Sequence, residues 1–289
     1  MKTTADSADK AFSSIDLVCQ CLIDEEKASA FDKILRRHVK SNHTVLDIGT
    51  GSGILALLAA RAGAKEVCAL EYDEYVAQVA KENIDRNGHS GTISVITEDA
   101  RTIQYKKASH FDVVVMEMLT TGMVDEFQVQ AINNLHKQKI IDHNTHLIPK
   151  IQQTYIAPAH TDFTNCGFSM KMVRHLWKHD KNDGLVTALG NRVLLNHIDF
   201  SSPVEEHFAA TVSMKIESSG LLNSIYMTSR TIVDDDTVLE STHSLNASVA
   251  VPLPERQVAR GDIVNLEIKY RFGYGFGQFS VRYLNEPAT

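Results

Sequence analysis

Two glutamates, Glu117 and Glu126, stand nine positions apart in the stretch EMLTTGMVDE. Two carboxylates facing one pocket can hold a planar guanidinium through paired, charge-assisted N–H···O bonds. A guanidine nitrogen is a poor nucleophile because its lone pair is delocalised, and positive charge held on the other nitrogens leaves the attacking one more electron-rich. In-line alignment with an electrophile would supply the rest. Alone, either glutamate would read as a solvated loop acid, but both follow the same apolar strand. A second constellation lies upstream, where Gly49, Gly51 and Gly53 alternate in DIGTGSG. Such glycines admit backbone angles closed to other residues and remove side chains that would hold a ligand off the main chain, and the helix that follows offers free N–H groups. Glu71 ends the next apolar run, where an acid accepts hydrogen bonds from ribose hydroxyls. The stretch reads as a nucleoside-cofactor site. Gly51, Gly53 and Ala56 also spell a dinucleotide fingerprint, but Asp47 just before them would oppose a pyrophosphate and suits the ammonium end of a cationic cofactor.

These residues need a scaffold, and the chain predicts one. Apolar runs at Val45–Ile48, Val67–Leu70, Ile93–Ile96 and Val113–Met116 alternate with helical periods over Ile54–Arg61 and Asp73–Asn87, the pattern of a parallel sheet with right-handed crossovers. Ligands on such sheets bind at the strand C-termini, where Asp47, Glu71, Asp99 and Glu117 all fall. Ala11–Val39 predicts two short helices broken at the charged run Asp24–Lys27. From Ile151 on, period-two alternation takes over: Phe208, Ala210, Val212, Met214 and Ile216 share one face, as do Leu245, Ala247, Val249 and Val251, and Leu266, Ile268 and Tyr270, which predicts an antiparallel sheet or barrel. The expected fold class is therefore α/β, with a helical cap over 1–40, a Rossmann-like domain over 41–149 and a mainly antiparallel β-barrel domain over 150–289. The polar stretch Ser169–Asn191 reads as an arm that packs against a second subunit.

Composition narrows the function classes. The chain has 289 residues, 43% hydrophobic and 22% charged, with a formal net charge of −7, which argues against a nucleic-acid partner and favours a cationic substrate. No apolar run is long enough for a membrane span, and the N-terminus lacks the apolar core of a signal peptide, so a cytoplasmic location is expected. Cys19, Cys21, Cys68 and Cys166 lack paired CxxC spacing and read as reduced packing residues. The pairs His143/His146 and His175/His179 have no third ligand motif and read as surface histidines, so no metal is expected. The glycine–aromatic run FGYGFGQF reads as a twisted strand and turn.

The run Asp47 to Gly53, with Glu71 beyond it, resembles the first two motifs of the S-adenosylmethionine-dependent methyltransferases. Glu117 and Glu126 resemble the double-glutamate loop of the protein arginine methyltransferases within that class. Ser241-Thr242-His243-Ser244 resembles the family's Thr-His-Trp loop, and LIDEEK, Leu22 to Lys27, the helix whose aspartate pairs with that histidine. The resemblance implies a cofactor, S-adenosylmethionine, held by Asp47, Gly49, Gly51, Gly53 and Glu71. It places Lys27 at the cofactor carboxylate, and Asp99 and Ala100 at the adenine, although Asp99 could equally cap a helix. Glu117 and Glu126 would hold an arginine guanidinium, Asp24 and His243 would form a supporting dyad, and a homodimer would form through the arm. Departures are specific: Lys27 replaces an arginine, Ser244 a tryptophan, Met118 and Leu119 an aromatic pair, and the tyrosine-rich N-terminal motif is missing, with only Phe12 near one of its positions. They leave open a small guanidine or amine, a protein lysine or N-terminal amine, or a partner that has kept the fold without catalysis.

Overall fold

The computed structural model describes residues 15–105, 110–177, 184–242 and 246–284. Its first half follows the apolar periodicities closely. Two helices, α1 (Ile15–Leu22) and α2 (Glu25–His38), lead into β1 (Thr44–Ile48), α3 (Ile54–Arg61), β2 (Glu66–Glu71), α4 (Glu74–Arg86), β3 (Ile93–Thr97), β4 (Val113–Met116), α5 (Gln128–Gln138) and β5 (His146–Ile148). The five strands form a sheet in the order β3-β2-β1-β4-β5, all parallel, with Leu46 between Cys68 and Val114. Val45, Leu46 and Ile48 are wholly buried, as a central strand covered on both faces requires. The C-terminal ends of β1, β2, β3 and β4 meet at one edge and deliver Gly49, Glu71, Glu98 and Glu117 there.

Helix α2 is built to be stable at both ends. Asp24 caps it by accepting from the Lys27 N–H at 3.2 Å, Glu25 and Glu26 occupy the first turn, and Arg36, Arg37 and His38 the last, each sign matching the helix dipole. Its buried stripe, Ala30, Phe31, Ile34 and Leu35, packs into the core, and Asp32 pairs with Arg61 of α3 at 3.0 Å.

Strand β5 is a departure from expectation. His146–Ile148 pairs in parallel with β4, Leu147 opposite Val114, in a segment that reads as connector because three residues are too few to show a period.

The second half is antiparallel. It comprises β6 (Ile151–Thr161), β7 (Thr164–Asn165), β8 (Phe168–Ser169), β9 (Arg174–Leu176), β10 (Val186–Ala188), β11 (Val193–Asp199), β12 (His207–Lys215), β13 (Gly220–Asp234), β14 (Thr237–Glu240), β15 (Ser248–Val258), β16 (Ile263–Arg271) and β17 (Ser280–Tyr283). A seven-stranded sheet runs β10-β6-β13-β15-β9, with β11 on β6 and β14 on β13, and a three-stranded sheet runs β12-β16-β17. Their inward residues, such as Met214, Ile225, Met227, Leu266 and Ile268, join one core with the parallel sheet. Among the described residues no ladder joins the two sheets into a closed barrel. The expected alternation is present along β12, where Val212 and Met214 are buried between exposed Thr211, Ser213 and Lys215. Leu245 lies outside the described residues.

The stretch Ser169–Asn191 is not free-standing in its described parts, since β9 adds to β15 and β10 to β6 at opposite edges of the large sheet. Just before and within it, Phe168, Met170 and Met172 stand exposed. His179 lies outside the described residues. The run FGYGFGQF is a turn followed by a short 3-10 turn, Phe276–Gln278, rather than a strand, because Gly273 and Gly275 take positive φ.

Candidate active site

A cavity with about 1120 Å³ of atom-free space, its open mouth included, lies at the C-terminal edge of the parallel sheet. Its floor is the glycine loop. Gly49 and Gly51 have φ of +71° and +54°, and a Cβ on Gly49 would lie 2.9 Å from the Met118 Cγ, so neither position admits a side chain without strain. Glu71 clamps this loop: its carboxylate accepts from the N–H groups of Gly51 at 2.9 Å, Tyr72 at 2.9 Å and Asp73 at 3.1 Å. Burial nonetheless raises the Glu71 carboxyl above its usual range, against the pull of those donors. From above, Leu17, Val18 and Cys21 of α1 cover the loop. Burial, with nearby carboxylates adding to it, pushes the Cys21 thiol up to about 12, which makes it a packing group rather than a nucleophile.

At the other end of the cavity the structure brings Glu117 and Glu126 together on its lining. The segment carrying them is held by the antiparallel half. The Tyr270 hydroxyl donates to the Gly122 carbonyl at 3.0 Å and accepts from Asn196 at 2.6 Å, Thr121 donates to the Ala247 carbonyl at 2.7 Å, and the N–H groups of Gly273 and Gly275 donate to the Met123 and Val124 carbonyls. The loop after β4 is therefore fixed by strands that lie more than seventy residues away in sequence.

The two glutamates differ in environment. Glu117 pairs with Lys27 at 2.8 Å, the two side chains 10% and 4% exposed. Burial would lower the Lys27 ammonium, but Glu117 holds it above its ordinary value. Burial raises the Glu117 carboxyl despite that ammonium. Glu126 forms no ion pair among the described residues, and burial together with the charge of Glu117 pushes it up to about 8. Such displaced carboxyls gather where charge is to be handled.

The other expected site residues divide. Gly49, Gly51, Glu71, Asp99, Ala100, Glu117 and Glu126 line the cavity. Asp47 does not: it is wholly buried beneath the loop, where it accepts from the Thr50 hydroxyl at 2.6 Å, and burial raises it to about 7. It braces the glycine turn from behind. Gly53 is the left-handed N-cap of α3 and also stands off the cavity. Lys27 is directed to Glu117 instead of to the cavity, and Asp24 is the buried cap of α2. His243 lies outside the described residues.

Asp99 caps no helix. It is gripped by Arg101, whose Nε and Nη2 donate to the two carboxylate oxygens at 2.9 and 2.7 Å. Arg101 is the one basic residue lining the cavity among the described residues. With Tyr72 and Phe127, it was not legible as a site residue. The only signals were its place two positions past Asp99, and for the two rings their places directly after Glu71 and Glu126. His146 lines a second cleft with His38 and His143, but no group of described residues is arranged to hold a metal ion.

The residues fit a nucleoside cofactor with a cationic centre: a cradle that a Cβ would fill, a helix N-terminus behind it, and an acid at the second strand tip. Residues 30–143 match the family model described as ribosomal protein L11 methyltransferase (PrmA). An uncharacterized protein of Methanocaldococcus jannaschii is 31% identical over 256 residues, covering 87% of this chain and 90% of that protein. The ribosomal protein L11 methyltransferase of Staphylococcus saprophyticus is 35% identical over 114 residues, 39% of this chain and 35% of the relative. The arginine N(omega)-methyltransferase of Streptomyces achromogenes is 36% identical over 115 residues, 39% and 32% of the two. This chain thus spans about a third of each of those last two. Among solved structures, the Trypanosoma brucei PRMT1 enzyme–prozyme heterotetrameric complex with AdoHcy aligns with a TM-score of 0.75 at 16% identity over 96% of both chains. Arabidopsis thaliana protein arginine methyltransferase 10 aligns at 0.69 and 17% over 86% and 85%. At these identities the likeness is one of fold.

Proposed function

This chain belongs with the M. jannaschii protein to one family, its class is that of the S-adenosylmethionine-dependent methyltransferases, and on that premise we propose that it methylates a guanidino nitrogen, most simply that of arginine in a protein or peptide. One observation carries the reading: Glu117 and Glu126 line the same cavity as the glycine cradle. S-adenosylmethionine supplies an electrophilic methyl group on a sulfonium, and the methyl transfer releases a proton from the attacking nitrogen. Gly49, Gly51 and Glu71 would hold the cofactor, with Asp99 and Ala100 beyond them. Glu126 and the oxygen of Glu117 not taken by Lys27 would hold two guanidinium nitrogens and leave the third facing the methyl. Asp24 and His243 are assigned the proton.

A second reading has one observation in its favour. The Lys27 ammonium sits 2.8 Å from Glu117, so this carboxylate already accommodates an alkylammonium. A protein lysine or N-terminal amine is the acceptor that follows. The reading also includes a cytoplasmic homodimer.

The test is labelled-methyl transfer to an arginine-rich peptide, a lysine-rich peptide and free guanidino compounds. Label on arginine that falls by about 10²-fold or more in Glu126→Gln, the loss of one charge-assisted pair in a closed site, supports the guanidine reading. Label on lysine alone replaces it with the second.

A further inference from the structure

We propose that Arg101 is a positioning residue for Glu126, a latch that ties the loop carrying Glu126 to the cofactor strand β3. The proposal rests on the reading of Glu126 as an acceptor-holding carboxylate.

Arg101 is fixed in plane before it touches the loop. Its backbone N–H and its guanidinium both bond Asp99, the side-chain bonds running from 2.7 to 3.0 Å, and both side chains are only about a fifth exposed. The guanidinium carbon lies 4.2 Å from the centre of the Phe127 ring and 5.8 Å from that of Tyr72. A cation over an aromatic face at that range is attracted by about 0.5–2 kcal/mol, more as water is excluded.

Phe127 is equally confined on its other side. Its ring meets the edge of Tyr274 at 5.4 Å and 88°, and it lies against Gly273, where a Cβ would come within 2.7 Å of its Cδ1. Tyr274 in turn carries the Arg271 guanidinium at 3.9 Å, and Arg271 pairs with Glu206 at 2.7 Å. A cation therefore sits at either end of a pair of rings, Arg101 on Phe127 and Arg271 on Tyr274, and Phe127 is the link between the β3 side and the end of β16.

Glu126 immediately precedes that link. With no ion pair of its own among the described residues, its carboxylate is aimed by its backbone, and the backbone at 126 and 127 is held by what grips Phe127. The Arg101 fork matters because its Nε and Nη2 stay bonded to the two Asp99 oxygens while the guanidinium sits over the ring, a paired grip that an ammonium cannot make. Asp99 is thereby engaged with a protein cation, so beside its place on the cavity lining it also holds the latch.

The experiment compares the wild type with Arg101→Gln, Arg101→Lys and Phe127→Leu in complex with S-adenosylhomocysteine. Hydrogen exchange of the amides of 118–127 is measured beside that of the glycine loop, and KM and kcat are measured for the arginine peptide. The expected result is about tenfold faster exchange over 118–127 in all three variants, little change at 49–53, and S-adenosylhomocysteine affinity within about threefold of wild type. Acceptor KM should rise about tenfold or more with kcat changed far less, and Lys should not rescue. Unchanged exchange over 118–127, full rescue by Lys, or loss of S-adenosylhomocysteine binding with a quiet loop would each overturn the latch. If the wild type methylates no guanidine, the proposed function fails, while the exchange comparison still decides the latch.

Discussion

At the scale of single residues, the site is governed by how few cations it gives its acids. Glu117 has Lys27, whereas Glu126 is left near pH 8 by burial and by the charge of Glu117. A guanidinium binds the carboxylate form and stays charged across the whole accessible pH range. Its arrival must therefore displace the Glu126 proton. We expect kcat/KM for a guanidine acceptor to rise with pH about tenfold per unit below pH 8 and to level above it, and Glu126→Gln to flatten that rise. The sign for stability is opposite. In the unfolded chain Glu126 loses its proton near 4.5, while the ligand-free fold keeps it until about 8. The folded state then binds more protons in that window, so stability should fall as pH rises through it. Thermal melts from pH 5 to pH 8.5, with and without the substitution, check this.

At the scale of elements, the loop after β4 is held by pieces of chain that look unrelated to it. The glycine–aromatic turn after β16 is the clearest case. Gly273 sits at φ +83° with Phe127, Gln130 and the Glu126 carbonyl all within 3.2 Å of a would-be Cβ. Gly273→Ala should cost about 1–3 kcal/mol in stability from strain and overpacking, and should raise acceptor KM more than it weakens cofactor binding. Denaturant melts and the two affinities measure both effects. The same case shows why some of the molecule was legible and some was not. Strands β1 to β4, the helices between them and the cradle Gly49–Gly53 announce themselves through local periodicity and through glycines in a strand-to-helix turn. Glu117 and Glu126 were legible through type, spacing and resemblance. The partnership of Gly273 with Phe127, or of Tyr270 with Gly122, spans about 150 residues and leaves no periodic trace. Lys27 and Asp47 are of types that suit a ligand, and no local pattern shows that the fold pairs them with Glu117 and Thr50.

At the scale of the whole molecule, the parallel and antiparallel halves share one core, so the cavity, lined by residues of the first half, has its loop after β4 held by the second. Outside that core, Phe168, Met170 and Met172 are between 53% and 71% exposed on neighbouring positions. Apolar side chains gathered in this way mark an interface more often than a free surface. If the protein dimerises through this segment, Phe168→Ser combined with Met172→Ser should convert it to a monomer in sedimentation equilibrium without lowering its melting temperature at low concentration. An unchanged mass would move the interface elsewhere.

Helix α2 joins these scales. Its first turn supplies Lys27 to Glu117, while its last turn plants Arg37 and His38 on Asp234 of β13 at 2.7 and 3.0 Å. The two ends are about 20 Å apart along one rod, so neither can be re-tuned alone. Over evolutionary time, drift at position 234 is therefore answerable at the cavity end. A lineage that exchanged its methyl acceptor would inherit altered selection on an aspartate that lies off the cavity lining.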